Sequence, residues 1–325
     1  MHRPIATAIL PAKDAGRFIG TTLETLRRQF DDPDDLKLVA VDDGSADDTG
    51  EIMRHYATQF SHAEVIENPR PVGLASARNQ GLARVEGEAF CFIDGDDWMA
   101  PLRVATLVAA LGDLGCDFVR TDHVTVTDTR RTLVRAPFPW RGVAVSPRDA
   151  ILPPDETTMV DYPYAWAGMF HRRVIDDGLA EFPDGLFTAE DRPWIWRLHL
   201  QAASFAVVDA PQLLYRRGIP TSLTQVLDRR QLDFGRALMH VVELVEEDAE
   251  ADRFRPKITA TVLAICAHHL IRSRGMNPVV RGELVIAIRD LLSRLQPVAV
   301  DAALPRLSDP RRRVLARHLR KVGRA

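Results

Sequence analysis

The sequence predicts an α/β fold: a mostly parallel sheet flanked by helices, followed by an all-helical C-terminal appendage. Three observations carry that prediction. Short apolar runs alternate with helical patterns through the first hundred or so residues, as in strands joined by crossover helices. Acidic residues stand where strand patterns end, at Asp42-Asp43 and Asp94-Gly95-Asp96-Asp97, the rim at which open α/β sheets hold ligands. Beyond about residue 224 only the helical period remains.

Taken in order, residues 5–10 form an apolar strand pattern closed by Pro11, and 17–28 space apolar residues as a helix does. A strand over 36–41 runs into Asp42-Asp43-Gly44-Ser45, and a helix over 47–60 follows that turn. A strand is expected at 63–67, a helix over 74–84 opened by Gly73, and a buried strand at 89–93. Next come a helix over 102–114 and strands over 116–121 and 124–133. Residues 136–187 are rich in Pro, Trp, Tyr and Arg and weakly periodic, which predicts loops and short elements. A helix over 191–203 and a strand over 204–208 follow. Helices over 224–247, 253–271, 279–295 and 311–322 make the appendage. The boundary falls between 220 and 228, giving an α/β domain over 1–223 and a helical one over 224–325.

The composition, 46% hydrophobic and 27% charged in 325 residues, supplies an ample core. A net charge of −3 gives no reason to expect nucleic acid as a partner. Cys91, Cys116 and Cys266 are odd in number and far apart, which favours buried thiols over disulfides or zinc ligands. The N-terminus enters a strand pattern without the apolar region of a signal peptide, and the apolar stretch 258–271 is too short to span a bilayer. The expectation is a soluble cytoplasmic protein. There is no Gly-x-Gly-x-x-Gly fingerprint after the first strand, no Gly-x-x-x-x-Gly-Lys-Ser/Thr loop and no Gly-x-Ser-x-Gly elbow.

Asp94, Asp96 and Asp97 crowd within four residues. Oxygen-only ligands at a strand end suit a hard cation such as Mg²⁺ or Mn²⁺ shared with substrate phosphates, and equally fit a solvated acidic turn with Asp97 as a helix cap. Asp42 is placed to accept a base N–H or a ribose hydroxyl, whereas Ser45, Asp47 and Asp48 read as turn and cap residues. Arg78, on the helix opened by Gly73, is placed to meet a phosphate or the acidic cluster, or to decorate a surface. Asp191 is either a helix N-terminal charge or a base with a pKa raised by burial beside tryptophans. Arg216-Arg217 either neutralise a diphosphate or lie on the surface.

In their joint order these segments resemble the inverting glycosyltransferases of family 2, on the GT-A fold. The matching stretches are Ile9-Leu10-Pro11-Ala12-Lys13-Asp14, Val41-Asp42-Asp43-Gly44-Ser45-Ala46-Asp47, Asn68 with Gly73-Leu74-Ala75-Ser76-Ala77-Arg78-Asn79, Phe92-Ile93-Asp94-Gly95-Asp96-Asp97 with Pro101, and Glu190-Asp191. The resemblance covers residues 4–223. It implies a nucleotide-diphosphate sugar donor, with UDP-sugars favoured, and a glycan, lipid-linked or protein acceptor. It implies a role in making cell-surface polysaccharide, glycolipid or another glycoconjugate. Pro11, Asp14 and Asp42 or Asp43 would hold the nucleoside, and Gly73, Arg78 and Gly95 would lie along the donor. Asp94 and Asp96 match the family's Asp-x-Asp motif for Mn²⁺ or Mg²⁺, with Asp97 assisting. Asp191 matches the catalytic base, with Glu190 beside it. Trp166 and Gly168 fall in an acceptor-side stretch, and Arg216, Arg217 and Ser222 in a lid over the diphosphate. One departure stands out: Lys13-Asp14 replaces a frequent Tyr-Asn, so a base-stacking ring is missing and base identity is open.

The C-terminal stretch 310–325 carries seven Arg and Lys and no acid, with a narrow stripe of Val314, Leu315, Leu319 and Val322. It reads as a basic amphipathic helix resting peripherally on the inner face of the plasma membrane, or as a helix packed on the appendage. The appendage is also a candidate homodimer surface. Two other functions share the nucleotide-at-strand-ends logic: a sugar nucleotidyltransferase, which would want a Gly-rich, Arg-bearing loop at Pro11–Gly16, and a non-catalytic sugar-nucleotide-binding scaffold, which has no use for a base at Asp191.

Overall fold

The computed structural model describes residues 2–219 and 227–323. In chain order, β1 (Ala6–Ala12), α1 (Gly16–Leu26), β2 (Leu36–Asp42), α2 (Thr49–Ala57), β3 (His62–Glu67), α3 (Leu74–Leu82) and β4 (Ala89–Phe92) form the alternating half. Then come β5 (Trp98–Met99), α4 (Arg103–Leu114), β6 (Phe118–Arg120), β7 (His123–Thr127), β8 (Arg130–Val134), β9 (Gly168–His171) and α5 (Arg173–Asp176). The α/β region closes with α6 (Asp191–Gln201), β10 (Phe205–Val207) and β11 (Leu213–Arg216). The appendage is α7 (Asp233–Glu246), α8 (Ala251–Arg272), α9 (Pro278–Arg294), α10 (Pro297–Ala303) and α11 (Asp309–Lys321).

The main sheet runs β10-β6-β9-β4-β1-β2-β3. β1 pairs in parallel with both β2 and β4, so their carboxyl ends share one rim. β1 and β2 are buried along their whole length because helices cover both faces of the sheet, which is why they read as continuous apolar runs. β9 is inserted antiparallel between β4 and β6. A second sheet, β5-β11-β7-β8, lies beyond the acidic turn, with β11 antiparallel to β5 and parallel to β7.

Aromatic packing fixes α6 on the sheet. Trp194 meets Phe170 at 5.0 Å and stacks on Phe182 at 4.9 Å, while Phe170 stacks on Phe90 at 5.4 Å and Phe118 at 6.0 Å between ring centroids. That anchoring holds the N-terminus of α6, where Asp191 sits, at the sheet rim.

Several elements differ from the sequence reading. The single strand expected at 124–133 is a hairpin of β7 and β8, turned at Asp128 in the left-handed region (φ +51°). The helix expected from 224 begins at Asp233, after a 3₁₀ turn over Arg229–Leu232 whose cap, Asp228, accepts the Arg230 amide. α10 follows a proline at its first position and was unforeseen. The apolar stripe of α11 is consumed internally: Leu315 and Leu319 are fully buried against α8 and α9. No helix among the described residues is long and apolar enough to cross a membrane.

Candidate active site

The turn after β2 is bound up in its own backbone. Asp42, 8% exposed, accepts the Ser45 amide at 3.0 Å. Asp43 accepts the amides of Val72 at 2.7 Å and Gly73 at 2.9 Å, and Nδ2 of Asn68 at 3.0 Å. It therefore ties the β2 turn to the loop opening α3. Gly73 has φ +97°, and a Cβ there would stand 3.3 Å from the Leu186 carbonyl, so only glycine lets this loop close on the 186–187 segment. Pro11 is buried in β1 opposite Val41. Asp14, also left-handed at φ +50°, accepts the Ala46 amide at 2.8 Å and pairs with Lys13 at 2.8 Å.

The turn after β4 is built differently. Thr22 donates to the carbonyls of Gly95 at 3.1 Å and Asp97 at 2.6 Å, fixing the backbone from α1. A Cβ on Gly95 would lie 2.7 Å from that of Ala12, so glycine lets the cluster sit on the end of β1. Partly exposed Asp94 pairs with Arg78 at 3.1 Å. The Asp96 carboxylate receives no hydrogen bond from another described residue, and burial, reinforced by Asp94, pushes its pKa up to about 6. Asp97, 1% exposed, accepts the Arg216 amide at 2.7 Å through Oδ1, while Oδ2 is buried with no partner among the described residues. Burial first, then Asp96 and Asp94, raises its pKa well above the carboxylate range.

Arg216 is clamped behind the cluster. Its Nε donates to the Asp96 carbonyl at 2.9 Å, and its guanidinium lies over Phe18 at 4.6 Å and Trp98 at 4.5 Å. Exposed Arg217 rests on Tyr215. Ser222 lies outside the described residues.

Arg78 joins the acidic turn to α6. It is 3% exposed, pairs with Glu190 at 2.5 Å as well as Asp94, and lies over Phe92 at 5.7 Å and Phe182 at 5.2 Å. Glu190 is buried, and the residue before it, Ala189, is left-handed at φ +60°. Asp191, the first residue of α6, is partly exposed, and no neighbouring side chain or amide is bonded to its carboxylate among the described residues. Burial raises the pKa of both acids. Arg78 opposes it at Glu190, and Arg192 then Arg78 oppose it at Asp191, while Asp94 adds to it at both. Three carboxylates around one guanidinium leave surplus negative charge, so protons are held more tightly than on ordinary side chains.

Trp166 is buried in an aromatic group, stacked on Tyr164 at 4.7 Å and 5.0 Å from Tyr215 and 4.9 Å from His123. Tyr164 and Tyr215 are partly open. Arg120, fully buried at the end of β6, donates to the carbonyls of Tyr162 at 2.9 Å and Tyr164 at 2.8 Å and fixes this loop. Gly168 pairs with Arg120 inside the sheet, where a Cβ would meet the Val119 carbonyl at 2.2 Å. It is a packing position with no surface to offer an acceptor.

Residues 7–176, just over half of the chain, match the profile of Glycosyl transferase family 2. The chain belongs to that family. The order of its motifs implied that family. It is 26% identical over 232 residues to the uncharacterized glycosyltransferase EpsJ of Bacillus subtilis, covering 71% of this chain and 66% of EpsJ. It is 25% identical over 272 residues to the putative glycosyltransferase EpsH of the same organism, covering 81% of this chain and 75% of EpsH. The chain therefore spans just under two thirds of the first relative's length. Among solved structures it resembles Staphylococcus aureus TarS residues 1–349 in complex with UDP-GlcNAc, with TM-score 0.75, 17% identity, and coverage of 98% of this chain and 92% of that one. The mannosyltransferase PcManGT of Pyrobaculum calidifontis, in complex with GDP-Man and Mn²⁺, gives TM-score 0.52 and 18% identity over 99% and 81% of the two chains. The GT-A fold of this chain is common ground with both.

Among its described residues, no three His, Cys, Asp or Glu side chains converge as a metal cage. Asp94 and Asp96 do offer the donor set of a hard divalent ion shared with phosphates, and the raised pKa of Asp96 marks a charge lacking a partner. Sequence reasoning missed Phe18, Trp98, Phe182 and Arg120. Each acts through a partner distant in sequence, and only Trp98, directly after the acidic turn, left a local signal.

Proposed function

We propose that this glycosyltransferase moves a sugar from a nucleotide-diphosphate donor to an acceptor hydroxyl with inversion, using Asp191 as general base. The observation that carries the reading is the state of Asp191. It is the acid at the α6 terminus left without a bond from another described residue, with its pKa raised by burial, beside Glu190, which is held by Arg78. A base needs an available lone pair and a proton affinity above that of an ordinary carboxylate.

Pro11, Asp14 and Asp42 are assigned to the nucleoside end of the donor. Asp43 acts one step back, fixing the Val72 and Gly73 amides that shape the donor loop. Asp94, Gly95 and Asp96 face the diphosphate, Asp97 braces β11 against them, and Arg217 is the exposed cation of the pair at Arg216-Arg217. Asp94 and Asp96 would hold Mn²⁺ or Mg²⁺, which when bound offsets charge on the departing diphosphate. Asp191 accepts the proton of the acceptor hydroxyl. The oxygen forms its bond to the anomeric carbon on the face opposite the diphosphate, and the bond to the diphosphate oxygen breaks with its electron pair leaving on that group. Arg78 holds Glu190 and Asp94 apart from this proton transfer, and Tyr164, Trp166 and Tyr215 form the acceptor side. The complexes of TarS with UDP-GlcNAc and of PcManGT with GDP-Man and Mn²⁺ support a nucleotide-sugar donor here, with UDP-sugars favoured by the closer overall likeness to TarS. The acceptor belongs to a glycan, lipid-linked or protein class in glycoconjugate synthesis, and the site of action is the cytoplasmic side of the membrane.

A panel of UDP-, GDP- and TDP-sugars, each with Mn²⁺, Mg²⁺ or EDTA, tests this reading through nucleoside-diphosphate release and the anomeric configuration of the product. The expected result is metal-dependent release, about 10²-fold lower in EDTA, and an inverted product. A retained configuration removes Asp191 as base, and undiminished turnover in EDTA removes the metal role.

A further inference from the structure

We propose that the outer face of α9 docks on the surface of an anionic phospholipid bilayer. This goes beyond the transfer reaction and does not depend on it.

Arg274, Arg281 and Arg289 line one groove of about 570 Å³ with Met276, Val285 and Ile286. None of the three arginines has an acidic partner among the described residues, whereas nearby cations do: Arg229 pairs with Glu283 at 2.7 Å and Arg255 with Glu246 at 2.7 Å. The Arg289 Nε is buried with no partner among the described residues. In a chain of net charge −3, three unpaired guanidiniums in one groove are a matter of placement and not of composition. The positive field continues onto α11, for the buried His318 is held well below its usual pKa by desolvation and then by Arg317, Arg289 and Lys321 together.

Apolar side chains stand beside these cations. Val279 is 63% exposed and Ile286 67% exposed, two turns apart on α9. Gly282 between them has nothing within 4 Å of where a Cβ would be, so the stripe opens outward. A soluble polyanion would satisfy the arginines and leave Val279 and Ile286 in water. A bilayer surface satisfies both, with guanidiniums on headgroup phosphates and the aliphatic side chains in the interfacial layer. The apolar stripe of α11 is unavailable for that role, because Leu315 and Leu319 are buried in the appendage.

Sedimentation of the full chain with phosphatidylcholine vesicles, with and without phosphatidylglycerol, tests the proposal. Binding is expected only with phosphatidylglycerol. The double variant Arg274→Ala/Arg281→Ala should reduce partitioning roughly thirtyfold, at about fivefold per interfacial arginine, and Ile286→Ser should reduce it further. All three positions are on the surface of the appendage, so thermal melts and donor hydrolysis should match wild type. Equal binding to neutral vesicles, unchanged partitioning of the variants, or long-chain polyphosphate bound with the same arginine dependence while vesicles are ignored would each overturn it.

Discussion

The turns after β2 and β4 stand on either side of β1, and both crowd aspartates against the same sheet rim. In the first, the Asp43 carboxylate accepts three hydrogen bonds and that of Asp42 one. In the second, the Asp96 carboxylate accepts none from another described residue, Asp97 keeps one carboxylate oxygen buried with no partner among the described residues, and both pKa values are pushed up. Similar residue types serve opposite ends. A carboxylate absorbed by backbone amides holds a loop in place, while one left bare and crowded stores an unfavourable charge that a cation or a proton can relieve. The Glu190-Asp191 pair repeats the distinction on a smaller scale, with Glu190 absorbed by Arg78 and Asp191 left open.

Breaking the open member has the largest expected effect. Asp191→Asn keeps the size and position of the side chain but cannot take a proton, so the transfer rate should fall roughly 10²–10⁴-fold. Its melting temperature near neutral pH should match or exceed wild type, since no bond to another described residue is lost and an acid with a raised folded-state pKa is removed. Steady-state kinetics with the identified donor checks this, and near-wild-type turnover would move the base elsewhere. The next effect separates the two turns through stability. Asp43→Ala leaves the Val72 and Gly73 amides without an acceptor and should cost about 2–3 kcal/mol in denaturant unfolding. Asp96→Asn removes an acid whose folded-state pKa is raised, so metal-free protein should be stabilised. The sign of the pH dependence follows: the penalty is absent below the unfolded-state pKa and full only above about pH 6. The gain in melting temperature from Asp96→Asn should therefore be larger at pH 8 than at pH 4. Equal losses for the two variants would erase the contrast between the turns.

Local patterns made part of this legible in advance. β1, β2, α3 and β4 were each placed within a residue or two, because burial on both faces writes itself as an unbroken apolar run and Gly73 marks a helix opening. The family's motif order then led to its fold. β9 was invisible: four residues without alternation become a strand only because β4 and β6 offer edges to Phe170 and its neighbours. The site residues were visible as types but not as states. Nothing near Asp43 in sequence says that the Val72 and Gly73 amides will absorb it. Nothing near Arg216 says that Phe18, almost two hundred residues earlier, will close over its guanidinium. The amphipathic pattern of α11 was equally plain, but what covers an apolar stripe is decided by other helices, here α8 and α9.

The smallest expected effect is the sharpest on the division of labour between Glu190 and Asp191. Both pKa values are raised by burial, so the acid limb of the pH profile of kcat/KM should lie above the ordinary carboxylate range, with activity lost as pH falls through it. Two adjacent acids titrate as a pair, so the limb alone does not name the base. Their surroundings differ in one useful way. The leading positive neighbour of Asp191 is Arg192, whereas that of Glu190 is Arg78. Arg192→Ala takes a positive charge from beside Asp191, disfavours its ionised form and raises its pKa, so the acid limb should move to higher pH while the plateau rate stays near wild type. If Glu190 is the group that ionises for catalysis, Arg78 still governs it and the limb should stay in place. The direction of a modest shift in one pH profile thus tests which of the two acids is open, the same distinction that separates the β4 turn from the β2 turn.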